Sequence, residues 1–211
     1  MLRGKLAEAR LSDVPIKVIM PGSRFDVGPF DIEFVPVTHS VPEAQSLVLR
    51  TPAGIVVHTG DWKFDPEPQV GPPTDLDRLA AIGQEGVLAL VCDSTNVMKP
   101  GPSQSEAEVR RSMAELIGGL KGRIAVTCFA SNVARVETIA LAAQAAGRTV
   151  VLVGSSLRNL ATAERECGYL SGVLPFMGAQ DVNSIPDDPL LMSITGSQGA
   201  PRSELSRSST A

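Results

Sequence analysis

Histidine is nearly absent from this chain: its 211 residues include two, His39 and His58. Cysteine is scarce too, with Cys92, Cys128 and Cys167 far apart. An odd number at wide spacing excludes a disulfide framework and leaves no CxxC metal knuckle. The three read as reduced, buried thiols. Aromatic residues make up 4%, so the core has to be aliphatic. Basic residues are not in excess: 19 Lys and Arg stand against 23 Asp and Glu, for a net charge of -4. That removes the usual signal of strong non-specific nucleic-acid binding, although a basic groove can sit on an acidic chain. No apolar run reaches the ~18–20 residues that span a bilayer. The first eight residues, Met1 to Glu8, are charged throughout and lack the apolar centre of a signal peptide. A cytoplasmic protein with no membrane partner is expected.

What is present begins with 43% apolar residues, enough for one large or two small domains. Both histidines lie beside strand-like runs, in Val35-Pro-Val-Thr-His39-Ser-Val-Pro42 and Val56-Val-His58-Thr-Gly-Asp61-Trp-Lys63. Imidazole and carboxylate are zinc ligands, and a catalytic zinc takes three or more protein groups. Neither segment has the tight spacing of a metal motif. Spacing alone favours a turn histidine and a loop carboxylate over a metal pair.

Along the chain, residues 1–12 carry a short amphipathic face. Strands are expected at Ile16–Met20, at Phe30–Val37 with Ile32, Phe34 and Pro36 on one face and Asp31 and Glu33 on the other, and as a hairpin at 46–50 and 55–59. A helix is expected over 76–86. Val87–Cys92, six apolar residues in a row, reads as a strand buried on both faces. A helix over 105–120 follows, with Ser105 and Glu108 as a capping box. From there the pattern is βαβ: strands at 123–129, 149–153 and 190–195, helices over 134–146 and after Asn159, and an irregular stretch over 170–189. Such alternation implies a parallel sheet with ligands at the carboxyl ends of its strands. The segment from Ser203 to Ala211 is polar and reads as a tail.

Five motifs stand in order: His39-Ser-Val-Pro, His58-Thr-Gly-Asp61-Trp-Lys, Cys92-Asp93-Ser-Thr-Asn96, Phe129-Ala-Ser-Asn132 and Thr195-Gly-Ser-Gln-Gly199. Together they resemble bacterial ribonuclease J, of the β-CASP group of the metallo-β-lactamase fold, from about residue 2 to residue 207. The resemblance implies an α/β protein: a partial metallo-β-lactamase αββα sandwich over 1–96, then an incomplete β-CASP parallel α/β domain over 97–202. It implies that His39 is a zinc ligand, that Asp61 bridges two zincs, and that Asp93 is the acidic residue of the first β-CASP motif. An Asx turn would also suit Asp93, and the two roles are compatible. His58 is not a ligand in the family and is expected to make a loop hydrogen bond. Ser131, Asn132, Ser155, Ser156, Gly196 and Ser197 follow strand ends, where backbone N–H groups and helix N-termini suit phosphate. The resemblance makes them the substrate-binding set for single-stranded RNA.

The family's His-x-His-x-Asp-His motif is absent, so the chain is expected to be an internal fragment. Gly154-Ser-Ser-Leu157 stands where the family has Gly-Arg-Ser-Met, and Ala200 where it has Glu. The expected function is therefore a zinc-dependent RNA hydrolase, a 5′-to-3′ exoribonuclease with endonuclease activity, from a family that tends to dimerise. With two ligands, the chain alone is expected to be inactive. The alternatives are a non-catalytic RNA-binding or subunit-contact module, or a degenerate product whose unpaired strand edges aggregate.

Overall fold

A computed structural model describes residues 2–196. They divide into two compact units, one from Pro15 to Ser105 and one from Glu106 onward, with the segment up to Val14 grouped with the second. That segment holds α1 (Leu2–Glu8), which buries none of its residues.

The first unit is one sheet in the order β1 (Arg24–Val27), β2 (Phe30–Pro36), β3 (Gln45–Thr51), β4 (Gly54–His58) and β5 (Val87–Val91). Pairs are antiparallel as far as β4, and β5 runs parallel to β4. Gly28 and Pro29 form a two-residue turn between β1 and β2, with Gly28 at φ +57°. Glycine meets that conformation without steric cost, as the first central position of a primed turn requires. This turn folds Arg24–Val27 onto β2 and takes up its edge. The strand expected at Ile16–Met20 therefore does not form, and Val18 and Met20 are exposed.

The face of β2 is also the reverse of the one expected. Glu33 and Val35 are buried, while Ile32 and Phe34 are half-buried. The helix α2 (Leu76–Glu85) decides this, because Ile82 and Leu79 pack with Val35, Val48 and Val57 on that side. Glu33 tolerates burial because Arg50 and Arg78 both donate to its carboxylate, at 2.7 Å from Arg50 Nη1 and 2.8 Å from Arg78 Nη2. A buried charge held by two guanidinium groups satisfies a polarity pattern that simple alternation misreads. β5 departs from expectation as well. It is exposed along its whole length, and among the described residues it is an edge strand bonded to β4 alone.

The second unit is a parallel sheet in the order β6 (Ile124–Thr127), β9 (Leu190–Ile194), β7 (Thr149–Val153) and β8 (Met177–Gly178). Three helices accompany it: α3 (Glu106–Gly119), α4 (Val133–Ala145) and α5 (Ser155–Glu166). α4 buries Val133, Val136, Ile139 and four alanines, and its neighbours include α3, α5, β7 and β9. A helix enclosed on most sides needs small side chains for close approach. Glu106, at the start of α3, accepts from Arg135 Nε at 2.9 Å and from Thr138 Oγ1 at 3.4 Å, tying α3 to α4. The stretch expected to be irregular contains β8 and a 3-10 helix at Ala179–Ser184, too short to leave a period in the sequence. No helix among the described residues is long and apolar enough to cross a membrane.

Candidate active site

β2 ends at Pro36 and the chain turns at His39. β4 ends at His58 and turns at Asp61. β5 ends at Val91 and turns at Asp93. Three neighbouring segments of one unit thus deliver His39, Asp61 and Asp93 to one cavity of about 660 Å³.

Each turn has its own lock. The His58 Nδ1 accepts the Gly60 N–H at 3.0 Å, so this histidine shapes the turn that presents Asp61. Gly60 has φ +62°, and a Cβ there would lie 3.0 Å from the Gln45 carbonyl oxygen. Glycine therefore suits the position immediately before Asp61, where a larger residue would be strained. The Asp93 N–H donates to Thr59 Oγ1 at 3.0 Å, joining the third turn to the second. The Asp93 carboxylate accepts from the Thr95 hydroxyl at 2.6 Å and the Thr95 N–H at 2.9 Å, an Asx turn. These Thr95 bonds, with the nearby His39 charge, hold the Asp93 carboxyl below its ordinary range, and partial desolvation opposes them. His39 Nδ1 lies 3.2 Å from the Ser40 hydroxyl.

The same cavity is walled by Trp62 and Phe64, which reading the motifs one by one did not single out. Their signal was the alternation Asp61-Trp-Lys-Phe-Asp65 in a chain with a single tryptophan. Among the described residues the Trp62 Nε1 is buried without a hydrogen-bond partner, an unmet polar group in the cavity wall.

Imidazole and carboxylate are the right chemistry for zinc, but their number falls short. Among the described residues, no group of three or more His, Cys, Asp and Glu side chains is arranged to hold a metal ion. The residues described do not by themselves make up a metal site.

The phosphate candidates lie in the second unit. Ser131 precedes α4, Ser155 and Ser156 open α5, and Gly196 follows β9. Because β6, β9 and β7 are adjacent and parallel, these loops leave the same edge of the sheet. Asn132 caps α4, its Oδ1 accepting the Arg135 N–H at 2.8 Å. Ser155 and Ser156 are exposed, and Gly154 before them, at φ +113°, offers no capping side chain. Ser197 and the 203–211 tail lie outside the described residues.

Residues 121–211 match the family model for the β-CASP domain of ribonuclease J. Almost the whole chain, 98% of it, aligns with ribonuclease J of Sinorhizobium meliloti at 49% identity over 208 residues.

The chain belongs to the ribonuclease J family. Ribonuclease J of Thermus thermophilus is 40% identical over 210 residues, again 98% of this chain. That of Corynebacterium glutamicum is 43% identical over 187 residues, or 88% of the chain and 26% of the relative. The chain spans 37% of the length of the Sinorhizobium and Thermus ribonucleases J. Among solved structures, one of a protein of unknown function from Enterococcus faecalis V583 superposes with a TM-score of 0.57 at 18% identity, covering 84% of this chain and 44% of that one. That likeness concerns the fold. The mixed α/β architecture with its parallel sheet is consistent with a β-CASP domain, and the first unit with the metallo-β-lactamase part of ribonuclease J.

Proposed function

We propose that the chain is the RNA-engaging part of a ribonuclease J-type, zinc-dependent phosphodiester hydrolase, acting on single-stranded RNA in 5′-to-3′ decay and endonucleolytic processing. The observation that carries this reading is the convergence of His39, Asp61 and Asp93 on one cavity. In it, His39 and Asp61 are this chain's contribution to a zinc site. His39 would bind through Nε2, with Nδ1 oriented by Ser40. Asp61 would bind through a carboxylate that no hydrogen bond engages among the described residues. Asp93, kept ionised by Thr95, supplies a fixed negative charge beside His39. On the second unit, Ser131, Asn132, Ser155, Ser156, Gly196 and Ser197 take the RNA backbone through hydroxyl, amide and N–H donors. Work in the cytoplasm, as a homodimer or larger assembly, belongs to the same proposal.

The short ligand count also favours a second reading, a non-catalytic RNA-binding or subunit-contact module. A zinc titration separates the two. Under the first reading the chain binds zinc weakly, and both His39→Ala and Asp61→Asn abolish the binding. Zinc binding that survives both substitutions refutes the assignment of these ligands.

A further inference from the structure

The segment after Asp61 is extended and anchored on alternate residues. Lys63 forms a bridge with Thr38, the residue before His39. The Lys63 N–H donates to the Thr38 carbonyl at 2.9 Å, and the Thr38 hydroxyl donates to the Lys63 carbonyl. The Asp65 N–H donates to Thr38 Oγ1 at 3.3 Å. Asp65 is buried, and its carboxylate lies 2.9 Å from the Lys63 ammonium. Successive side chains of an extended segment point to opposite sides. Lys63 and Asp65 are held against the His39 segment, Trp62 and Phe64 occupy the alternate positions, and both rings line the cavity together with Lys63. The two rings meet edge to face, with centroids 4.6 Å apart and planes at 74°. Phe64 is 55% exposed. A large aromatic ring, braced by a second ring and more than half exposed, thus stands three residues from Asp61 at the cavity.

We infer that Phe64, braced by Trp62, is a stacking platform for an unpaired base of single-stranded RNA. Stacking is open to every base, because each has a π face. It would hold a nucleotide beside His39, Asp61 and Asp93 without reading its identity. A nucleotide, with an apolar base face and polar edges, fits the site better than a wholly apolar protein segment, because Asp61, Asp93, Thr95 and Asn96 line the cavity together with Val97 and Pro102. With an RNA base as its ligand, the subsite rests on the ribonuclease reading.

Trp62 is the only tryptophan of the chain, so its emission reports on this cavity alone. The experiment titrates the 211-residue chain with a labelled single-stranded RNA octamer and with an abasic octamer, reading Trp62 emission and RNA anisotropy together. The RNA is expected to change Trp62 emission, and the abasic strand to bind more weakly and leave emission unchanged. Phe64→Ala is expected to weaken RNA binding about tenfold, while Phe64→Tyr holds it within about twofold. Circular dichroism of both variants confirms that each is folded. RNA binding with unchanged emission and equal affinity in Phe64→Ala overturns the platform and leaves the ribonuclease reading standing. Equal binding of the abasic strand does the same. No RNA binding at any concentration overturns both.

Discussion

Glu33 shows how a charged side chain is accommodated on the covered face of a strand. Its carboxylate sits on the covered face of β2, held by Arg78 and Arg50. The Arg78 hydrogen bonds are the largest cause of a pKa lowered from 4.5 to about 2, against the opposing effect of burial. A depressed carboxylate stabilises the fold above its unfolded pKa, and that stabilisation is lost as pH falls toward the folded value. Glu33→Gln is therefore expected to lower stability at pH 7 by about 2 kcal/mol. The gap in Tm should narrow as pH drops from 4.5 toward 2, and thermal melts across that range check it. Asn132 allows a second test at this scale. Its Oδ1 is occupied as the cap of α4, which leaves only its NH2 group to meet a phosphate. Asn132→Ala is expected to cost about 1 kcal/mol of stability. Asn132→Asp should keep the cap and the Tm but weaken RNA binding through its negative charge, as a melt and an anisotropy titration on the same sample would show.

At the scale of elements, β5 and β2 mark where periodicity stops being informative. The run Val87–Cys92 is as apolar as a buried strand, yet Leu88 and Leu90 are 65% and 62% exposed. Hydrophobicity reports what a strand would tolerate around it and says nothing of which neighbours it has. The alternation in β2 was legible, but its buried side was set by the apolar residues of α2, with Arg50 and Arg78 satisfying Glu33 there. In the second unit β6, β7, β9, α3 and α4 were legible to within two residues, because they carry strong local patterns with Gly147 and Pro189 as punctuation, whereas α5 begins at Ser155 and not after Asn159, and β8 left no pattern. An exposed apolar edge promotes self-association. Leu90→Lys is expected to reduce oligomer or aggregate content in sedimentation velocity, with stability changed by less than about 0.5 kcal/mol. Unchanged sedimentation would mean that β5 is not the sticky edge.

At the scale of the whole molecule, the order of five short motifs carried the family assignment, which no single motif could. The hairpin pattern placed His39 and Asp61 at related ends of one sheet, but that Asp93 joins them in one cavity depends on turns set by Gly60, His58 and Thr59. Trp62 and Phe64 were missed because their role follows from a bridge to Thr38, twenty-five residues before Lys63. The central claim is that this chain carries part of a ribonuclease J-type site and engages RNA without completing the metal centre. The most direct measurement purifies the 211-residue chain, determines bound zinc, and incubates it with end-labelled single-stranded RNA. The expected result is less than one zinc per chain and RNA that is bound but intact. Stoichiometric zinc with processive decay of the RNA would contradict it.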